Sequence, residues 1–361
     1  MRGLDNTPYM LRRGAGAQPT PKPARRGDNE IVDIATATRG EVSTTADALI
    51  EVRLTAIRYA ARHTNIFEFR RPDGQPLPAY EPGAHVDMHL PSGHMRNYSL
   101  IVAKPDPGVY MFAIKRDPAS RGGSRYIHDE LHVGRTLKIS APRNNFRLKE
   151  DAQHTVLLAG GIGITPIWCM VQRLEELKRP WALHYGCRSR ADMAFLNELQ
   201  AMSGAKFHFD DENAGRVLDV AGIVAAAPRD AHLYCCGPTP MLAAFEAASR
   251  EWPREQIHIE YFTPRQETGK PKKGGFTVEL ARSGQEFFIP EGRTILEVLL
   301  DEGVDVDYSC ELGICGACEQ RVISGTPEHR DSILTEEEQA ENKRVMICCA
   351  GCKSERLVLD L

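Results

Sequence analysis

Tyr308-Ser309-Cys310-Glu311-Leu312-Gly313-Ile314-Cys315-Gly316-Ala317-Cys318 carries three cysteines within nine residues, spaced C-x4-C-x2-C, and Cys348 follows thirty positions after the third. Soft thiolates at this spacing hold a plant-type [2Fe–2S] cluster. A loop this short can wrap such a centre only if it turns tightly. Gly313 and Gly316 sit where an unbranched backbone can bend and aim N–H groups inward. A zinc knuckle would pair its cysteines as C-x2-C twice, and this spacing does not. Cys310, Cys315, Cys318 and Cys348 are therefore the expected ligands. Cys349 and Cys352 lie near enough to Cys348 to blur the choice of the fourth.

Working outward, the 361-residue length gives two or three domains. With 42% apolar and 26% charged residues the composition is that of an ordinary globular protein. Charge is unevenly spread. From Gly275 to the end there are 8 Lys/Arg against 18 Asp/Glu, a net of −10, so the overall −4 leaves +6 before it. An acidic module on a mildly basic body argues against nucleic acid and for a basic protein partner steered by charge. Ten cysteines crowded toward the end, with no secretory segment, fit a reducing cytoplasm. The longest uncharged run, Thr155 to Gln172, holds three glycines and Pro166, so no membrane span is expected.

Residues 1–45 read as a disordered tail of arginines and prolines without periodicity. From 46 to 148, short alternating runs separated by Gly and Pro turns predict a small antiparallel β-barrel. The runs are Ile50–Ile57, His85–Leu90, Asn97–Val102, Val109–Ile114 and Thr136–Ser140. Within it, Arg96-Asn97-Tyr98-Ser99 places a cation and a flat aromatic on one face of a strand, suited to a phosphorylated planar ligand. Ser120-Arg121-Gly122-Gly123-Ser124 precedes an expected helix at Arg125–Leu131, a second phosphate seat.

From 149 to 264, strands alternate with helices, as in a parallel sheet with ligands at the strands' carboxyl ends. Thr155–Ala159 runs into Gly160-Gly161-Ile162-Gly163-Ile164-Thr165-Pro166. Pro166 replaces the third glycine of the dinucleotide fingerprint, yet the turn can still lay pyrophosphate on a helix start. Further strands are expected at Trp181–Gly186, Lys206–Phe209 and His232–Cys236, the last entering Gly237-Pro238. Cys236 there is either packing or the floor under a reacting ring. Arg188-Ser189-Arg190 stands where an acid often reads the ribose, and suits a 2′-phosphate.

A polar linker spans 265–275, and 276–361 forms the acidic cysteine module with helices at Thr294–Glu302 and Glu336–Glu341. His329-Arg330-Asp331 resembles a kinase catalytic loop, but Glu336 occupies the position of its Asn, which rules that reading out.

Taken together, these residues resemble the phthalate dioxygenase reductase family, which includes vanillate O-demethylase reductases. The order R-N-Y-S-L (96–100), A-I-K-R (113–116), S-R-G-G-S (120–124), G-G-I-G-I-T-P (160–166), C-G-P (236–238) and C-E-L-G-I-C-G-A-C (310–318) carries the likeness from Ile50 to Leu361. The resemblance implies a flavin β-barrel, an α/β nucleotide domain and a C-terminal β-grasp ferredoxin domain. It implies FMN held by Arg96, Asn97, Tyr98 and Ser99, with Ala113, Ile114 and Lys115 at its ring edge and Gly122, Gly123 and Ser124 at its phosphate. Gly161, Gly163, Thr165, Arg188, Ser189, Cys236, Gly237, Pro238 and Phe262 would serve the nicotinamide nucleotide and the flavin. Ser99 and Cys236 would flank hydride transfer. Nicotinamide gives two electrons together and clusters take one, so a flavin must stand between them. The resemblance favours NADH as donor, with NADPH the alternative that the arginines suggest. The acceptor it implies is a separate Rieske-type oxygenase; a haem monooxygenase, or a cluster-binding sensor with a vestigial flavin fold, are the rival readings.

Overall fold

The computed structural model describes residues 49–361 except 104–105, 121, 263–273 and 309. The expected tail, most of the linker, Arg121 and Ser309 lie outside the described residues.

The first unit is a six-stranded antiparallel sheet. Its strands are β1 (Ile50–Ala61), β2 (Thr64–Arg70), β3 (His85–His89), β4 (Met95–Ser99), β5 (Tyr110–Lys115) and β6 (Thr136–Ile139), in the order β4-β3-β6-β1-β2-β5. A helix, α1 (Gly123–Asp129), begins two residues before the expected start. The sheet curls over Val52, Leu54, Phe67, Phe69, Val86, Met88 and Phe112 but does not close. Its edges β4 and β5 share no ladder, and Ile101 N reaches Met111 O (3.2 Å) only beyond the end of β4. The expected barrel is thus an open half-barrel. The sequence reading omits β2, where Phe67 and Phe69 alternate toward the core but Asn65, Glu68 and Arg70 interrupt the apolar signal.

The second unit is a parallel five-stranded sheet, β7 (His154–Gly160), β8 (Trp181–Cys187), β9 (Ala205–Phe209), β10 (Ala231–Cys236) and β11 (Ile257–Glu260), in the order β11-β10-β7-β8-β9. It is flanked by α2 (Ile164–Leu177), α3 (Leu196–Gln200), α4 (Val220–Ala226) and α5 (Thr239–Ala248). Both faces are covered, so β7 runs unbroken apolar from Val156 to Ala159. Leu157 and Ala159 face the core of α2, while Val156 and Leu158 face that of α4 and α5. The chain starts at β7, winds outward through β8 and β9, then crosses back to β10. The carboxyl ends of β7 and β10 form the switch point where ligands bind in such sheets. Ala61, Ile101, Ala113 and Phe146 of the first unit join the α2-side core, so the two units share one packed interior.

The third unit has β12 (Phe276–Leu280), β13 (Gln285–Ile289), α6 (Ile295–Asp301), β14 (Glu319–Ser324), β15 (Pro327–Glu328), α7 (Glu336–Glu341), β16 (Arg344–Met346), β17 (Gly351–Cys352) and β18 (Arg356–Leu359). Parallel β12 and β18 lie inside the order β13-β12-β18-β14-β16, and α6 packs Ile295, Leu296 and Leu299 on the sheet, a β-grasp. Capping boxes at Thr294/Glu297 and Thr335/Glu338 start its two helices, each worth about 1 kcal/mol. No helix of the described residues is long and apolar enough to cross a membrane.

Candidate active site and cluster loop

A cleft of about 1230 Å³ runs between the units. One wall is the carboxyl end of the parallel sheet: Gly160 and Gly161 at the end of β7, Cys187 and Arg188 at the end of β8, Asp210 after β9, Pro238 after β10, and Glu260 to Phe262 at the end of β11. The other wall is β4 (Arg96 to Ser99) with the end of β5 (Ala113 to Lys115) and Ser124. Cys310, Leu312, Ile314 and Cys315 of the cluster loop complete the lining. A cleft this size can bury a flavin and part of a dinucleotide.

The flavin-side geometry explains its glycines. A Cβ at Gly123 would lie 2.6 Å from Arg96 Cγ, and one at Gly122 (φ +103) would lie 2.6 Å from the His94 ring. The paired glycines therefore let Arg96 and His94 cross the start of α1. Asn97 lines the cleft but donates its amide to Asp87 Oδ1 at 2.5 Å. It braces β4 on a carboxylate that Arg143 Nη2 also holds at 2.5 Å. Ser99 is buried in the cleft opposite His85 on β3. His85 also lines the cleft with both ring nitrogens unpartnered. Burial, then Arg143, pushes its imidazole down to about 4, so it stands neutral. Orphaned buried polar atoms beside an arginine and a flat aromatic fit a flavin.

On the nucleotide side the glycine-rich turn divides its labour. Gly161 (φ +54) faces open space in the cleft, whereas a Cβ at Gly163 would strike Cys236 O at 2.2 Å. Gly160 and Gly237 also approach each other, a Cβ on Gly237 falling 3.2 Å from Gly160 Cα. Gly163 and Gly237 thus pack β10 against the turn, and Gly160 and Gly161 are the glycines of this site that line the cleft. Thr165 lines the cleft and ties its hydroxyl to Ile162 O at 3.1 Å. Cys236 is fully buried and does not line the cleft; burial, then Glu260, holds its thiol well above the usual range. The expectation that it flanks the transfer site finds the thiol one layer behind the wall.

Of the three residues suited to a 2′-phosphate, only Arg188 lines the cleft. Ser189 hydrogen-bonds Asp192 Oδ2 (2.8 Å) and Arg62 Nη2 (3.1 Å). Arg190 grips Glu212 and lies 4.3 Å over the Phe209 ring. Asp210, missed in the sequence, faces the cleft beside Arg188. Glu260 was also missed: its Oε2 is buried without a partner, and burial pushes the carboxyl up to about 8. An acid ending a strand before Tyr261-Phe262 was the signal available for it. Phe262 lines the cleft, 37% exposed.

The cluster loop is shaped for metal. Gly313 (φ +69) and Gly316 (φ +76) make its left-handed turns. Leu312 N and Ile314 N point at Cys310 Sγ (3.3 and 3.4 Å), and Cys310 N at Cys315 Sγ (3.5 Å). Cys348 follows β16, where Ile347 N bonds Cys318 O (3.3 Å). The thiols of Cys310, Cys318 and Cys349 are its neighbours. Cys352 is held apart, against Thr326 O and Ser354 Oγ (3.5 and 3.2 Å).

Three sequence families match the three units: an oxidoreductase FAD-binding domain over 51–148, an oxidoreductase NAD-binding domain over 157–247, and a 2Fe-2S iron-sulfur cluster binding domain over 278–353. The chain is 47% identical over 318 residues to tetrachlorobenzoquinone reductase of Sphingobium chlorophenolicum, covering 86% of this chain and 98% of that one. It is 41% identical over 318 residues to vanillate O-demethylase oxidoreductase of a Pseudomonas strain, covering 87% and 100%. Among solved structures, phthalate dioxygenase reductase superposes with a TM-score of 0.66 at 36% identity, covering 87% of this chain and 98% of that one.

Proposed function

The chain belongs to the phthalate dioxygenase reductase family of flavin and iron–sulfur oxidoreductases, and from that premise we propose that it passes electrons from NADH through FMN and a [2Fe–2S] cluster to a separate Rieske-type oxygenase in the cytoplasm. The units proposed are 46–148, 149–264 and 276–361. The observation that carries the reading is the single cleft, lined at once by the carboxyl ends of β7 to β11, by β4, and by two cluster-loop cysteines.

When bound, a flavin takes a hydride and yields electrons singly to the cluster, which is the chemistry the cofactors supply. The protein's part is orientation. Arg96, braced over Gly123, meets the flavin phosphate with Gly122 and Ser124. Tyr98 and Ala113 to Lys115 flank the ring, and the buried Ser99 hydroxyl is available to a ring nitrogen. His94 and Arg96 lying across the start of α1 supports FMN over the longer FAD. Gly161 and Thr165 receive the nucleotide, with Pro238 and Phe262 bounding it; Gly163, Gly237 and Cys236 hold the wall from behind. Asp210 in the cleft and Arg190 committed to Glu212 support NADH over NADPH. Cys310, Cys315, Cys318 and Cys348 hold the cluster. Ten free cysteines support a reducing compartment.

The test is to purify the protein anaerobically, identify the extracted flavin by mass, and follow cytochrome c reduction with each nicotinamide. FMN, NADH dependence and iron–sulfur absorption are expected. A protein lacking yellow pigment and NADH-dependent turnover refutes the reading. Adding a purified Rieske or haem oxygenase decides the acceptor.

A further inference from the structure

The cluster loop and the flavin unit are joined by a hydrogen bond between residues 170 positions apart: Asn145 Nδ2 donates to Cys315 O at 2.8 Å. The segment bearing Asn145 is immobilised on both sides. His85 and Arg143 exchange backbone hydrogen bonds of 2.8 and 2.9 Å, and the Arg143 guanidinium is tied to buried Asp87. Asn144 uses both ends of its amide inward, on Pro82 O and Phe146 N, each at 3.0 Å. Phe146 is buried edge-on against Tyr234, with ring centroids 5.6 Å apart. Asn145 is exposed and lines a second cleft of about 1280 Å³ together with Phe146 and Ile314. A Cβ at Gly316, beside Cys315, would lie 3.6 Å from Asn145 Nδ2. Behind this junction the His85 ring lines both clefts with no partner on either nitrogen.

We propose that Asn145 is the positioning residue that docks the cluster loop on the flavin unit, fixing through the Cys315 carbonyl the gap an electron crosses. The inference rests on the functional reading above. Its chemistry is plain: a rigidly mounted amide donor meets the carbonyl of a cluster ligand whose own position lines the flavin cleft. The rest of the loop is shaped by its glycines, so this bond ties a pre-turned loop and need not create the turn.

Asn145→Asp is nearly isosteric and sets an acceptor against the carbonyl; Asn145→Ala simply removes the donor. In both variants, amide hydrogen exchange across 311–318 should quicken. Cluster reduction after rapid reduction of the flavin should slow about fivefold, the population equivalent of one hydrogen bond. Flavin content and the cluster's electron paramagnetic resonance signal should persist. Unchanged exchange at 311–318, or an unchanged cluster-reduction rate, overturns the proposal. A wild-type protein lacking flavin or cluster would instead sink the functional reading, so the two failures are distinguishable.

Discussion

Glu212 grips Arg190 through two parallel hydrogen bonds, Nε to Oε1 at 2.5 Å and Nη2 to Oε2 at 3.0 Å. With the guanidinium also stacked on Phe209, turning it to a 2′-phosphate would cost both the bidentate pair and the stacking contact. Asp210 meanwhile adds a carboxylate to the same end of the cleft. Asp210→Asn should raise kcat/KM for NADPH relative to NADH by about tenfold, because a like-charge clash is removed. Glu212→Ala should move it the same way by freeing Arg190. Arg188→Ala should change NADH turnover less than about twofold, since NADH has no 2′-phosphate for it to meet. Steady-state kinetics with both nucleotides decide this; an NADPH preference in the wild type would reverse the assignment.

Gly123 is the second test, because its missing Cβ is what Arg96 lies across, 2.6 Å from Cγ. Gly123→Ala should displace the guanidinium and weaken flavin retention, by an amount approaching that of Arg96→Ala. Each should lose a charge-assisted hydrogen bond worth about 1.5–3 kcal/mol, hence at least tenfold in flavin affinity. Fluorescence titration of the apoprotein with FMN measures it. Equal affinity in Gly123→Ala would mean that Arg96 acts elsewhere.

These two sites show what a sequence can and cannot disclose. The cysteine spacing marks the cluster loop because three ligands crowd into nine residues whose turns need glycine, with the fourth thirty positions on. The strand Thr155–Ala159 was legible because burial on both faces leaves an unbroken apolar run. The partner of Arg190 was not, since Glu212 approaches from the turn after β9 and no local pattern couples the two. Asn145 was equally silent, its partner lying 170 residues away. The glycines of 160–163 fit a ligand by local pattern, but Gly163 is demanded by the approach of Cys236 at the end of β10, a contact between a turn and a strand far apart in sequence.

Cys349 tests how firmly the fourth ligand is fixed. Its side chain abuts the cluster loop, so that a Cβ on Gly313 would lie 2.6 Å from its Sγ, and its thiol neighbours that of Cys348. Cys348→Ser should keep part of the iron absorption by recruiting Cys349, and Cys348→Ser with Cys349→Ser should lose it. Cys315→Ser has no such neighbour prepared and should abolish cytochrome c reduction while NADH still bleaches the flavin. Iron content and visible spectra of the three proteins decide; equal iron loss in the first two would remove Cys349 from consideration.

Glu260 supplies the pH dependence. Burial raises its carboxyl from 4.5 to about 8, so at neutral pH it is a protonated acid at the end of β11, able to donate in the cleft. Ionisation above about 8 would leave an acceptor and a negative charge beside the nicotinamide end. NADH-dependent flavin reduction should therefore decline with an apparent pKa near 8, and Glu260→Gln, which keeps a donor, should flatten that decline while Glu260→Ala lowers the whole profile. The sign for stability follows from the raised value. The folded state holds the proton between pH 4.5 and 8 while the unfolded chain releases it, so the contribution is full below about 4.5 and is lost as pH rises through 8. Glu260→Gln should thus gain stability on the wild type as pH climbs across that window. A constant difference between the two in urea unfolding from pH 5 to 9 would show that the carboxyl titrates normally and that its burial is relieved in solution.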